Sequence, residues 1–232
     1  MNNDISPPIS SHSVQIKICG ITTISDAELC RKYGAHAIGF IFYPKSPRFV
    51  WPHTVKKICN YIADSLDTVG VFVNESFDTI MRQVEYCNLN TVQLHGTESP
   101  YLVTRLRYQG IKVIKALFTQ RQPYPESAIQ YDATAFLIEC GRGTLPGGNA
   151  THWNWGSVKS FGQKRPLILA GGLNPKNVQS ALEQANPDAL DVSSGVEVFP
   201  GKKNPIAIEQ FMRQTCQYQR YEPELRRIFH AI

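Results

Sequence analysis

A chain of 232 residues with a formal net charge of +5, 42% hydrophobic and 19% charged residues, carries enough apolar material for one sizeable core. The mild basic balance suits an anionic small ligand, and no basic run with interleaved aromatics marks a nucleic-acid surface. Its six scattered cysteines form no C-x-x-C pair and no metal-like Cys/His spacing, and no apolar run approaches a membrane span.

The opening MNNDISPPIS has neither a basic n-region nor an apolar h-region, so a cytoplasmic protein with reduced thiols is expected. Residues 1–13 read as a flexible extension ahead of one domain over 14–232. Apolar runs of strand length then recur as VQIKI, AIGFIF, TVGVFV, TVQLH, KVIKAL, AFLIE, LILA and ALDVS. They start about 21 to 31 residues apart, the spacing of a strand, a loop, a helix and a second loop. Most are apolar throughout, as strands covered on both faces should be.

Helix signals fill the gaps. Ser25 and Glu28 form a capping-box pattern, and Gly34 stands as the stop. After Ser76, a stripe of Phe77, Ile80, Met81, Val84 and Cys87 has helical spacing. Ser99-Pro100 and Asn174-Pro175 each read as a cap followed by proline in the first turn, and Gly110 ends the helix begun at Ser99. FTQRQPYPESAIQ is the weakest helix, because its prolines leave room for barely two turns. The tail after about Arg220 exceeds what an eighth helix needs.

Eight strand–helix repeats in one chain point to an α/β fold, a single-domain (β/α)8 TIM barrel. The competing doubly wound sheet expects a glycine-rich turn after its first strand, and CGITT is not G-x-G-x-x-G. In a barrel, chemistry belongs at the C-terminal ends of the strands. That rim collects the unusual residues: Cys19, then Lys45 and Arg48, then Gln93, His95 and Gly96, then Glu139, Gly171, Gly172, and Asp191 through Gly195. Gly171 and Gly172 let backbone N–H groups approach a ligand, and Ser193, Ser194 and Gly195 add hydroxyls and amides. Loops seven and eight are the usual phosphate site of barrels, although tight turns alone would explain either motif taken singly.

The motifs KICGIT, GFIFYPKSPR, VGVFVN, VQLHG, GGLNPKNV, DVSSGVE and PGKK resemble the phosphoribosylanthranilate isomerase family of tryptophan biosynthesis, in its order and spacing from Ile16 to Asn204. The resemblance implies an Amadori rearrangement without cofactor or metal, from N-(5-phosphoribosyl)anthranilate to 1-(2-carboxyphenylamino)-1-deoxyribulose 5-phosphate. It places the general base at Cys19 and the anthranilate carboxylate on Arg48. His95 and Asp191 fall in its substrate region, and Gly171, Gly172, Ser193, Ser194 and Gly195 in its phosphate site. An ordinary thiol titrates near ~8.5, and positive charge or amide dipoles beside Cys19 are expected to raise its thiolate fraction.

The chain departs from the family in one unit. The family's general acid is an aspartate in LLLD; here FLIE places Glu139 there, and GGTGKTFDW becomes GGNATHWNW over residues 147–155. Two other readings stay open: a phosphosugar isomerase with another substrate, and a non-catalytic paralogue that binds a phosphorylated metabolite. Arg48 argues against the first and Cys19 against the second. The expected partner is a small phosphorylated substrate, with no nucleic acid and no membrane; the residues do not choose between monomer and homodimer.

Overall fold

A computed structural model describes residues 14–62, 65–142, 153–218 and 224–230. The flexible extension expected over 1–13 and the loop glycines Gly147 and Gly148 lie outside the described residues.

Eight parallel strands close into a barrel in sequence order: β1 (Gln15–Cys19), β2 (Ala37–Ile41), β3 (Asp67–Phe72), β4 (Thr91–Leu94), β5 (Lys112–Phe118), β6 (Ala135–Glu139), β7 (Leu167–Ala170) and β8 (Ala189–Val192). Helices α1 (Ile24–Lys32), α2 (Pro52–Ile62), α3 (Phe77–Cys87), α4 (Pro100–Tyr108), α5 (Lys159–Lys164), α6 (Val178–Ala185) and α7 (Pro205–Cys216) connect and cover the strands. The expected barrel is therefore the observed fold. Between β5 and β6 only a 3-10 turn forms, Pro125–Gln130, where the prolines leave little room for a helix. A short antiparallel ribbon, β9 (Glu197–Phe199) with β10 (Lys202–Lys203), follows β8. Among the described residues no helix is long and apolar enough to cross a membrane.

Two helix starts differ from the sequence expectation. The cap of α1 is Thr23, whose hydroxyl accepts from the Asp26 amide at 3.1 Å, and not Ser25. Asn174-Pro175 opens a turn instead of a helix. Asn174 Oδ1 accepts from Lys176 N, Asn177 Oδ1 accepts from Asn174 N, and α6 begins three residues later at Val178. Side chains of this kind compete with the helix for the same amides. Ser76 and Ser99 do cap α3 and α4.

Side chains alternate across each strand, so odd and even positions face different layers. On β1, Ile16 and Ile18 join the outer core beneath the helices. Gln15, Lys17 and Cys19 face inward, opposite interior positions of β2 such as Ala37 and Gly39. The same alternation runs Ala135, Leu137, Glu139 along β6 and Ala189, Asp191 along β8. Interior apolar residues fill the lower barrel, and polar or ionisable side chains such as Cys19, Glu139 and Asp191 take over at its mouth.

The tail has a structural place. Ile228 and Phe229 are buried against the barrel interior, in one cluster with Val69, Ile114, Leu137 and Ile168. One side chain pins them: Gln15 Oε1 accepts from the amides of Ile228 and Phe229, at 2.7 and 3.1 Å, while its Nε2 donates to Phe229 O at 2.9 Å. Arg226 pairs with Asp188, just before β8, and His230 N donates to Asp67 at the start of β3. All these anchors stand at strand N-termini, so the tail stops the floor of the barrel, opposite the rim that carries chemistry. Removing a buried phenylalanine side chain costs about 3 kcal/mol. Phe229→Ala is expected to lower the urea midpoint accordingly and to leave turnover at the far end within twofold of wild type. An unchanged midpoint would show that the tail does not hold the floor.

Candidate active site

Inward-facing positions bring Cys19 and Lys17 together. They stand two residues apart on one face of β1, and the glycine opposite, Gly39, leaves the space into which both side chains reach. A Cβ built on Gly39 would lie 2.7 Å from Cys19 Sγ and 3.0 Å from Lys17 Nζ. Lys17 is fully buried and paired with Asp191 Oδ1 at 2.8 Å across the β1–β8 seam. Burial disfavours the charge on Lys17, yet Asp191 and Cys19 together carry its pKa above the ordinary lysine value. For Cys19 burial wins: it pushes the thiol up although Lys17 and Lys203 pull it down, with Asp191 adding to the rise. The positive charges expected beside this thiol are present, but they do not outweigh its desolvation.

A second tier holds the backbone around the thiol. Lys203 Nζ donates to the Cys19 carbonyl at 2.6 Å and pairs with Glu197 at 2.8 Å. Ser193 Oγ donates to the same carbonyl at 3.0 Å. Arg48 packs over Gly20, where a Cβ would lie 2.7 Å from Arg48 Cδ. Its Nε and Nη2 both donate to Glu197, at 3.0 and 2.8 Å. Burial would raise the Glu197 pKa, but Arg48 and Lys203 hold its carboxyl below the ordinary carboxylate range. Lys45, nearby in sequence, is exposed.

Glu139 sits three strands away around the ring, at the end of β6. It is buried, and among the described residues its Oε1 accepts no hydrogen bond. His95 Nε2 approaches that oxygen to 3.4 Å. Gln93, also inward and buried, places its amide nitrogen 2.8 Å from His95 Nδ1. With that nitrogen donating, the ring proton of a neutral His95 is on Nε2, the side that faces Glu139. Trp153 closes the flank: its Nε1 donates to Ala170 O at 3.0 Å, and a Cβ on Gly171 would lie 2.9 Å from that nitrogen and 3.2 Å from Glu139 Cβ.

The loops after β7 and β8 touch. A Cβ on Gly195 would lie 1.9 Å from the Leu173 carbonyl oxygen, a contact only glycine allows. Gly171 and Gly172 both have positive φ, and Asn177 Nδ2 donates to the Gly172 carbonyl at 2.8 Å. Ser194 and Gly195 open a 3-10 turn, Ser194–Val196, whose first N–H groups have no partner within the turn. Adjacent N–H groups of this kind favour an anion. Among the described residues no group of three or more His, Cys, Asp or Glu is assembled to hold a metal.

Residues 16–214 match the family model for N-(5'phosphoribosyl)anthranilate (PRA) isomerase. The chain belongs to the phosphoribosylanthranilate isomerase family. A relative from Desulfatibacillum aliphaticivorans, named N-(5'-phosphoribosyl)anthranilate isomerase, is 46% identical over 205 residues, covering 88% of this chain and 94% of its own. The crystal structure of phosphoribosyl anthranilate isomerase from Thermotoga maritima is similar at a TM-score of 0.81 and 39% identity, covering 88% of this chain and all of that one. A further structure of the isomerase is a complex with reduced 1-(o-carboxyphenylamino)-1-deoxyribulose 5-phosphate. It matches at a TM-score of 0.78 and 38% identity, over 88% of this chain and 100% of that one. The family match ends before the tail that stops the barrel floor.

The sequence-selected residues thus fall into three touching groups: Cys19 with Asp191, Ser193 and Arg48; His95 with Glu139; and Gly171, Gly172, Ser194 and Gly195. Gln93 was placed on the rim from sequence without a role, and Lys17, Glu197 and Lys203 were not selected. Lys17 carried a signal, a charge inside an otherwise apolar strand, whereas Glu197 and Lys203 meet only through the folded ribbon. Removing one partner of a buried charge cluster costs about 3–5 kcal/mol. Glu197→Gln is expected to lose stability of that order at neutral pH, read by urea unfolding. A carboxyl held low stabilises the fold above its unfolded value of ~4.3 and loses that effect as pH falls through its folded value. Wild type should therefore lose more stability than Glu197→Gln between neutral pH and pH ~3; equal losses would remove the charge cluster from the argument.

Proposed function

We propose that this chain isomerises N-(5-phosphoribosyl)anthranilate to 1-(2-carboxyphenylamino)-1-deoxyribulose 5-phosphate, a step of tryptophan synthesis, with Cys19 as base and Glu139 as acid. One observation carries the reading: alternation along β1 and β6 delivers a thiol and a buried carboxyl, one of whose oxygens accepts no hydrogen bond among the described residues, into one barrel mouth. The glutamate in place of the family's aspartate keeps the proton donor and changes only its reach.

The chemistry fits these groups. Protonated Glu139 gives its proton to the ribose ring oxygen, the C1–O bond breaks, and a protonated Schiff base forms at C1. The Cys19 thiolate takes the proton from C2, leaving an enolamine and a neutral thiol. The enol proton leaves O2 while C1 gains one, and the product is the ketone. Glu139 and Cys19 then return to their starting forms by exchange with solvent. Amides of Gly172, Ser194 and Gly195 suit the 5'-phosphate. Arg48, oriented by Glu197, turns its remaining nitrogen, Nη1, to the anthranilate carboxylate. Asp191 suits the sugar hydroxyls, and His95 steadies Glu139 or the substrate beside it.

Steady-state turnover tests the assignment. Cys19→Ser and Glu139→Gln are expected to lower kcat by ~10²–10⁴-fold with KM little changed. Glu139→Asp keeps the carboxyl but withdraws it by ~1 Å, a misplacement that costs about 100-fold. Full turnover in Glu139→Gln would end the acid assignment. Because burial raises the Cys19 pKa, kcat/KM should still climb as pH passes ~8.5; a profile flat above neutrality would contradict a thiolate base.

A further inference from the structure

We propose that Lys17 is a positioning residue for Cys19: a buried ammonium, held by Asp191, that faces the sulfur and stabilises the thiolate that accepts the substrate's C2 proton. The inference rests on Cys19 being the base and adds the group that makes a buried thiol usable as one.

Four observations converge. Lys17 is fully buried inside the barrel, where an ammonium needs a reason to be. Its carboxylate partner among the described residues, Asp191, is 2.8 Å away. Sγ of Cys19 and Nζ of Lys17 both crowd the space above Gly39, so the ammonium and the sulfur are neighbours there. Lys17 also titrates above its ordinary value under the joint pull of Asp191 and Cys19, which supports the contact.

The other cations near the thiol are held away from the sulfur. Lys203 donates to the Cys19 carbonyl and shares the Glu197 carboxylate with the Arg48 fork, so that cluster keeps one positive charge and acts on the thiol from the backbone side. Lys17 and Asp191 cancel while Cys19 is a thiol. When Cys19 ionises, the trio carries one negative charge, and Lys17 is the cation placed against it. A structural ion pair here could be replaced by apolar residues with no loss, whereas a thiolate cannot be supported by them. During turnover Lys17 keeps its proton throughout. Only the sulfur changes state: it gains the C2 proton and later yields a proton to solvent.

The test reads the thiol directly and needs no isomerase substrate. Cys19 is alkylated with iodoacetamide across pH in wild type, Lys17→Met and Lys17→Arg, and the Cys19 peptide is quantified by mass spectrometry. Resolving the peptide matters because Cys216 is exposed. An opposite charge in contact shifts a pKa by ~1–3 units, so Lys17→Met should react about tenfold or more slowly at pH ~8, with its inflection at higher pH. Lys17→Arg should stay near wild type, and kcat should fall with the alkylation rate while KM stays close to wild type. Wild-type alkylation in Lys17→Met would overturn the proposal.

If Lys17→Met does not fold, the reciprocal measurement remains. In Cys19→Ser the Lys17 side chain, followed by carbon-13 NMR at Cε, should titrate at lower pH than in wild type; an unmoved inflection overturns the proposal equally. Should the alkylation shift appear in a protein inactive on the anthranilate substrate, the function assigned above fails and the role of Lys17 stands.

Discussion

Closure of the barrel between β1 and β8 is the constraint on which the remaining structure depends. In that register Lys17 stands beside Asp191 and Ile18 beside Val192. A slip of one residue would turn Lys17 outward into the apolar layer under the helices and bring Ile16 or Ile18 into the mouth. A buried ion pair adds little stability compared with apolar residues of similar size, but it is costly to separate. Its effect here is to make one register tolerable and its neighbours expensive. Sequence alternation, strand pairing and the placement of the thiol are thus one event.

The five residues of β1 also join the two ends of the molecule. Gln15 fixes the tail that stops the floor, Lys17 occupies the middle, and Cys19 reaches the mouth. The floor is made of apolar burial and hydrogen bonds to strand starts. At the mouth are buried charges in contact with opposite charges, and the Glu139 oxygen left without a hydrogen bond among the described residues. A rigid floor lets the polar mouth be held without a large apolar core of its own, since the strands cannot splay at one end while the other is plugged.

Much of this was legible in the sequence because the strands are short, apolar and evenly spaced, and because a glycine, thiol or carboxyl repeatedly follows them. What was missed has physical causes. Thr22, Thr23 and Ser25 compete as caps within four residues; Thr22 is drawn to the Gly201 carbonyl by the ribbon, which leaves Thr23 to cap α1. Asn174 precedes proline as a cap would, but its side chain closes a local turn first. VQIKI reads as an apolar run, and only a period of two separates Gln15, Lys17 and Cys19 from Ile16 and Ile18. Glu197, at the end of DVSSGVE, and Lys203, in PGKK, belong to one cluster because β9 folds back on β10, a contact that no local pattern announces.

The central claim is geometric, and a crystal structure with the reduced product analogue bound tests it most directly. The analogue's C2 should lie within ~3.5 Å of Cys19 Sγ, the Glu139 carboxyl should face the oxygen at C4, and the phosphate should rest on the amides of Gly172 and Gly195. A ligand seated with its phosphate elsewhere, or with C2 beyond the reach of Cys19, would contradict the assignment of thiol and carboxyl to one reaction.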